Sequence, residues 1–244
     1  MINALRVGFI ATFMAVTVVL LLPIFLVLLP SRVARIQAGN AYGKMLGWTT
    51  TKVMGVDVSW EHRERLNASM PAIYVTNHAS TLDMFIAMWI CPYKGCGVAK
   101  REVGNWPFFG QIYRLAGHVL IDRADSKAAI ERMNETARFI KENGVGLWIW
   151  PEGTRSLDGR LRRFKKGFVH MAVATGLPVV PVVMHGAYKI WPKGPVLGIR
   201  PGKLHIEVLE PIDTSGWSRE TVAEHADLVH DVIAQHLRED QKPA

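Results

Sequence analysis

A chain of 244 residues is long enough to bury one sizeable core and to carry an appendage besides. Its 29 Lys and Arg against 21 Asp and Glu give a formal charge of +8, which calls for an anionic partner. Nucleic acid is excluded as that partner, because the sequence holds no zinc spacing, recognition-helix signature or aromatic RNA-binding motif. Cys91 and Cys96 lack partners at metal-like spacing and read as ordinary thiols of a reducing compartment.

The appendage stands first. No residue between Arg6 and Arg32 is charged, and residues 7–29 are dominated by Val, Leu, Ile, Phe, Met and Ala. As a helix this run is roughly 35 Å long, against a hydrocarbon core of about 30 Å. It exceeds the apolar region of a signal peptide and lacks a small-x-small exit, so it reads as a retained anchor, with Pro23 allowing a kink or a half-inserted hairpin. Arg32, Arg35, Lys44 and Lys52 follow it, whereas only Arg6 and the terminal amine precede it, so the body belongs on the cytoplasmic side. Ser31 caps a second helix over residues 31–53, read as an interfacial helix folded back on the first. Gly39, Gly43 and Gly47 are spaced there for close helix packing in lipid. Residues 1–54 are therefore the membrane-anchoring part and residues 55–244 the catalytic domain.

In that domain, short β-branched or apolar runs at 56–60, 72–76, 95–99, 118–121, 146–150, 179–184 and 203–208 alternate with helical patterns at 82–89, 105–115, 126–142, 164–174 and 219–237. The alternation predicts an α/β fold: a single catalytic domain with a central mixed, largely parallel sheet flanked by helices. The Pro- and Gly-rich stretch 191–202 reads as a mobile loop.

Three short stretches carry chemistry. Asn77-His78-Ala79-Ser80-Thr81-Leu82-Asp83 follows the strand 72–76 and sets an imidazole five residues before a carboxylate. A carboxylate bonded to one ring nitrogen fixes the tautomer and frees the other nitrogen to take a proton. There is no Gly-x-Ser-x-Gly elbow, and neither cysteine sits in a nucleophile motif, so the pair activates a hydroxyl that a substrate brings. Pro151-Glu152-Gly153-Thr154-Arg155-Ser156 follows the strand 146–150; glycine permits close backbone approach, and an arginine fork grips phosphate. Arg160, Arg162, Arg163, Lys165 and Lys166 extend the positive field, mostly as a solvated face. Gly117-His118-Val119-Leu120-Ile121-Asp122-Arg123 puts an arginine at the exit of an apolar strand. His118, His170, His185 and His205, in or beside apolar runs, read as core or edge residues; His62, His225, His230 and His236 read as surface, and Trp148 and Trp150 as core.

Taken in chain order, Asn77 to Asp83, Gly117 to Arg123 and Glu152 to Ser156, the three stretches resemble the successive blocks of the glycerolipid acyltransferase family, which contains the 1-acylglycerol-3-phosphate acyltransferases. Val179-Val180-Pro181-Val182 is similar to a fourth, apolar block, and Lys100, Pro107-Phe108-Phe109-Gly110 and Phe164-Lys165-Lys166-Gly167 also match, so the likeness runs from Ala72 to Met184. His118 stands where the family has a less polar residue.

The resemblance implies transfer of a fatty acyl group from an acyl-CoA or acyl-acyl-carrier-protein thioester to the hydroxyl of lysophosphatidic acid, giving phosphatidic acid, without cofactor or metal. It implies His78 as the base and Asp83 as its orienter. Arg123 and Arg155 would hold phosphate, Glu152 would position them or the glycerol, and Gly153, Thr154 and Lys100 would complete the substrate site. Backbone amides of the His78 loop or of Gly153 are alternative oxyanion donors. With the anchor, the resemblance places the protein at a bacterial inner membrane among anionic lipids. Rival readings are another acceptor (lyso-ornithine lipid, another lysophospholipid or glycerol-3-phosphate), a thioesterase that hydrolyses acyl-CoA, and a noncatalytic membrane-binding module.

Overall fold

The computed structural model describes residues 1–122 and 126–243. Its centre is a sheet of seven strands: β1 (Val56–Glu61), β2 (Ile73–Thr76), β3 (Gly95–Lys100), β4 (Val119–Ile121), β5 (Gly146–Ile149), β6 (Val179–His185) and β7 (Gly202–Val208), in the order β1-β7-β6-β2-β5-β3-β4. Every neighbouring pair is parallel except β6 with β7. This is the mixed, largely parallel α/β sheet the alternation predicts. All four residues of β2 and all seven of β6 are buried, as a strand covered on both faces requires.

The pleat sends alternate residues into two cores. Ile73, Val75, Leu147, Val179 and Val183 pack beneath α6 (Ser126–Asn143), α7 (Gly167–Thr175) and α9 (Val222–His236). Tyr74, Trp148, Val180, Val182 and Met184 face the other way, toward α4 (Leu82–Ile90) and α8 (Ala187–Ile190). A short α3 (Arg65–Ala68) and α8 lie outside the helices read from sequence; four residues carry too little periodicity to register. The predicted helix 105–115 is instead a 3-10 turn, Arg101–Asn105, followed by α5 (Phe109–Leu115). Pro107 and Phe108, at φ +60°, break the run.

The first two helices form an antiparallel pair, α1 (Ile2–Val27) and α2 (Arg32–Val53). Ser31 caps α2 by accepting from the Ala34 amide at 3.2 Å. The start of α1 touches the loop before β7, where Asn3 Nδ2 donates to the Leu197 and Ile199 carbonyls at 2.9 and 2.8 Å. Farther along, the Thr17 and Tyr42 hydroxyls lie 3.2 Å apart, and Val18 and Phe25 pack with Leu46, Ile112 and Ala116. Ile10 is buried in the core that α4 covers, and the outward side of α1 is exposed and apolar, with Ile2, Leu5, Phe9, Val16, Val19, Leu20 and Val27 on it.

α2 folds back against α1 as expected, but its glycine spacing serves a contact other than helix packing in lipid. Its glycine stripe faces the body: a Cβ at Gly47 would lie 2.2 Å from the Phe85 carbonyl oxygen of α4, and one at Gly39 would lie 2.6 Å from Ala116 Cβ. Arg32 and Arg35 donate to the Gly117 and Leu115 carbonyls at 3.0 and 2.9 Å. Each of these two guanidinium groups is thus bonded to a backbone carbonyl at the end of α5 or in the turn after it.

Candidate active site

The C-terminal ends of β2, β5, β3 and β4 share one edge of the sheet, where an open α/β fold gathers its loops. The loop after β2 carries His78, and α4 starts at once and brings Asp83 back beneath it. His78 Nδ1 lies 2.9 Å from Asp83 Oδ2, and the Ala79 and Ser80 amides donate to the same oxygen at 2.8 Å each. Because these amides can only donate, Oδ2 is an acceptor. His78 therefore carries its proton on Nδ1, and Nε2 is the basic face. Asp83 is 1% exposed and the His78 side chain 18%, so the pair sits at the floor of the edge with only the imidazole open.

Trp150 flanks that imidazole, with ring centroids 4.8 Å apart at 26°. The reading of Trp148 and Trp150 as core holds for Trp148, which is buried against Tyr74. Trp150, one step past the end of β5, is half-buried against the same core and lines the candidate site as well. Period 2 along β5 puts both indoles on one face, and the exit position of the second was the available signal.

The turn after β5 packs against the His78 loop. Glu152 Oε1 accepts from the His78 amide at 2.5 Å and Oε2 accepts from the Arg162 amide at 3.0 Å. Ser156 N donates to the His78 carbonyl at 3.0 Å. Glu152 thus braces the backbone of the His78 loop instead of pairing with an arginine or reaching out to a ligand. Burial pushes its carboxyl up to about 8, against the pull of the two amide donors. Gly153 takes φ +73°, and Lys165 lies over it so closely that a Cβ there would meet Lys165 Cε at 3.0 Å. Arg155 Nη1 donates to Thr81 Oγ1 at 2.5 Å, which brings the guanidinium to the His78 loop.

Sequence reasoning missed four supports. Asn77 makes a reciprocal pair with the Met184 backbone, its Nδ2 donating at 2.9 Å and its Oδ1 accepting at 2.8 Å, which ties the ends of β2 and β6. The Trp191 carbonyl accepts from Ser80 Oγ at 2.7 Å and from Thr81 N at 2.9 Å. Pro192 bridges to Ser80, and Lys193 reaches Thr154. The stretch 191–202 is accordingly tied down at both ends instead of loose. The amides of His78, Ala79, Ser80, Thr81, Leu82, Gly153 and Ser156 all donate to protein oxygens, so the backbone of the His78 loop and of Gly153 is already engaged.

The remaining expected residues separate. Lys100 ends β3 on the same edge, exposed and two strands from β2. Arg123 lies outside the described residues. His118 precedes β4 at the opposite edge of the sheet, where its Nδ1 accepts from the Gly97 amide at 3.1 Å and Tyr113 covers its ring. Burial lowers it to about 4, so it is a neutral core histidine with no part in the His78 site. His170, expected at a core or edge position, is exposed on α7. Burial raises Cys91 to about 12 and Cys96 to about 11, which keeps both as inert thiols.

A histidine oriented by a buried carboxylate at an α/β sheet edge, braced by a Glu-Gly-Thr-Arg turn, defines an enzyme that transfers acyl groups. The chain belongs to the Acyltransferase family, whose model matches residues 57–185. It is 41% identical over 220 residues to the 1-acyl-sn-glycerol-3-phosphate acyltransferase of Limnanthes douglasii, covering 90% of this chain and 77% of the relative. It is 34% identical over 168 residues to the enzyme of that name from Escherichia coli strain K12, covering 69% and 67%. The crystal structure of the 1-acyl-sn-glycerophosphate (LPA) acyltransferase from Thermotoga maritima superposes with a TM-score of 0.77 at 28% identity, covering 96% of this chain and 94% of that one.

Proposed function

We propose that this enzyme moves a fatty acyl group from an acyl-CoA or acyl-acyl-carrier-protein thioester to the sn-2 hydroxyl of lysophosphatidic acid, giving phosphatidic acid. The observation that carries the reading is the contact of His78 Nδ1 with an Asp83 oxygen that also accepts two backbone amides. His78 Nε2 takes the proton of the acceptor hydroxyl as its oxygen attacks the thioester carbon. The tetrahedral intermediate collapses with cleavage of the C–S bond, and the imidazolium returns the proton to the departing thiolate. Asp83 stabilises the transient imidazolium, Trp150 screens one ring face, and Glu152 holds the His78 backbone. Arg155, at Thr81, grips the acceptor phosphate, and Gly153 and Thr154 shape that turn. Arg123 and Lys100 lend further positive charge to the same substrate. A thioester brings its own good leaving group, so the scheme calls on no cofactor or metal.

Residues 1–54 seat the enzyme in the cytoplasmic leaflet of a bacterial inner membrane through the exposed apolar side of α1, and residues 55–244 carry the chemistry. The relatives' names and the long apolar α1 support a membrane-resident acceptor. The test is thiol release from oleoyl-CoA in the presence of lysophosphatidic acid, lyso-ornithine lipid, glycerol-3-phosphate or no acceptor. Release should require lysophosphatidic acid and fall about 10²- to 10⁴-fold in His78→Ala. Equal release without acceptor would identify a thioesterase.

A further inference from the structure

The loop that leaves α8 places a lysine on the Glu-Gly-Thr-Arg turn. Lys193 Nζ lies 3.3 Å from Thr154 Oγ1 and donates to the Arg155 carbonyl at 3.1 Å. The Lys165 side chain lies over Gly153, and the Arg155 guanidinium projects from the same turn to Thr81. Three cations therefore gather around three residues. Among the described residues none of them is paired with a carboxylate; Glu152, the nearest acidic residue in sequence, is buried against the His78 and Arg162 amides. Like charges held this close repel one another, and an anion between them converts that cost into binding.

The loop itself says which anion. Its first residues are fastened to the His78 loop through the Trp191 carbonyl, with the Trp191 ring stacked on Phe85 at 6.0 Å and 2°. Its far end is fastened to α1 through Asn3. Along this loop Val196 and Leu197 are exposed, and so are Ile2 and Leu5, which stand on either side of Asn3 in α1. One strap thus joins the apolar surface of α1 to the phosphate-gripping turn, so the substrate that passes along it is lipid-borne and carries its phosphate at the end of an acyl chain.

We propose that Lys193 is an acceptor-binding residue that completes, with Arg155, the grip on the lysophospholipid phosphate, presented by a strap (residues 191–199) anchored on α1. This rests on the acceptor assigned above. The ammonium now bonded to Thr154 and the Arg155 carbonyl turns to the phosphate monoester, leaving the Trp191 bonds in place.

The experiment uses the full chain in mixed micelles and measures KM and kcat for lysophosphatidic acid and for oleoyl-CoA, with a melting curve for each protein. Lys193→Met keeps the length of the side chain and removes its charge; the acceptor KM should rise about tenfold or more while the oleoyl-CoA KM stays unchanged. Lys193→Arg should restore most of the acceptor KM, and wild-type acceptor KM should rise with salt more steeply than that of Lys193→Met. A rise in the oleoyl-CoA KM instead would move the grip to the donor and overturn the proposal. A lowered melting temperature with reduced kcat and unchanged acceptor KM would make Lys193 a structural strap residue, also overturning it. If the wild type fails to acylate lysophosphatidic acid at all, the acceptor assignment falls and this proposal with it; if it succeeds while Lys193→Met keeps its acceptor KM within twofold, this proposal alone falls.

Discussion

Asp83→Asn tests the proposed base more sharply than removing the base itself. In a His–Asp pair the usual hazard of this change is that the new amide turns its NH2 toward the imidazole and reverses the tautomer. Here three donors, His78 Nδ1 and the amides of Ala79 and Ser80, converge on one oxygen, Oδ2, whereas Oδ1 is buried without a hydrogen-bond partner. An asparagine must keep its carbonyl oxygen at the Oδ2 position, so the tautomer survives and only the negative charge is lost. With charge centres ~4 Å apart and an effective dielectric of ~20, that charge stabilises an imidazolium by at most about 4 kcal/mol, or about three powers of ten. The expected result is a fall in kcat of about 10²- to 10³-fold with little change in either KM, measured as thiol release from oleoyl-CoA. The NH2, forced into the partnerless Oδ1 position, should cost about 1–3 kcal/mol of stability. Asp83→Ala should melt lower still, because it strands the Ala79 and Ser80 amides as well. A loss below tenfold for Asp83→Asn would refute a charged orienter, and a loss well beyond about 10³-fold, more than the missing charge accounts for, would refute the fixed tautomer.

Two further outcomes follow from the packing around this pair. The Glu152 carboxyl, raised by burial from 4.5 to about 8, contributes stability that is complete below its unfolded value and is lost as pH rises through about 8. The melting temperature of the wild type relative to Glu152→Gln should therefore decline between about pH 5 and pH 8, and a flat or rising difference would show the carboxyl ionised throughout. Gly47→Ala should cost about 1–3 kcal/mol or more and lower kcat too, since the new Cβ meets the Phe85 carbonyl at 2.2 Å, in the helix that carries Asp83. Gly8→Ala, with nothing within 4 Å of its Cβ, is the control, and equal melting of the two proteins would contradict the close α2–α4 contact.

What the sequence made legible and what it hid divide along a physical line. Strands such as 179–184 announced themselves because burial on both faces demands a near-continuous apolar run, and β6 is buried at every residue. His78 and Asp83 were legible because five residues from a loop into a helix's first turn bring a carboxylate under an imidazole, a purely local geometry. Glu152 was found but its partner was not: the carboxylate bonds the His78 and Arg162 amides, and every residue except proline offers an amide, so composition carries no trace of the choice. The same blindness hid the strap. Trp191 contributes its carbonyl, not its side chain, to Ser80 and Thr81, and a stretch rich in proline and glycine reads as loose when its ties are backbone oxygens. Gly39, Gly43 and Gly47 did signal close approach, but a glycine spacing states that something is near without saying what, and here it is α4 and the α5–β4 turn. Arg32 and Arg35 likewise advertised charge, and their geometry assigns it to two carbonyls. The consequence reaches function: α2 presses on the helix that bears Asp83, and α1 holds the strap that bears Lys193. The two helices that the sequence sets apart as an anchor are therefore in contact with both sides of the candidate site, α2 through α4 and α1 through the strap.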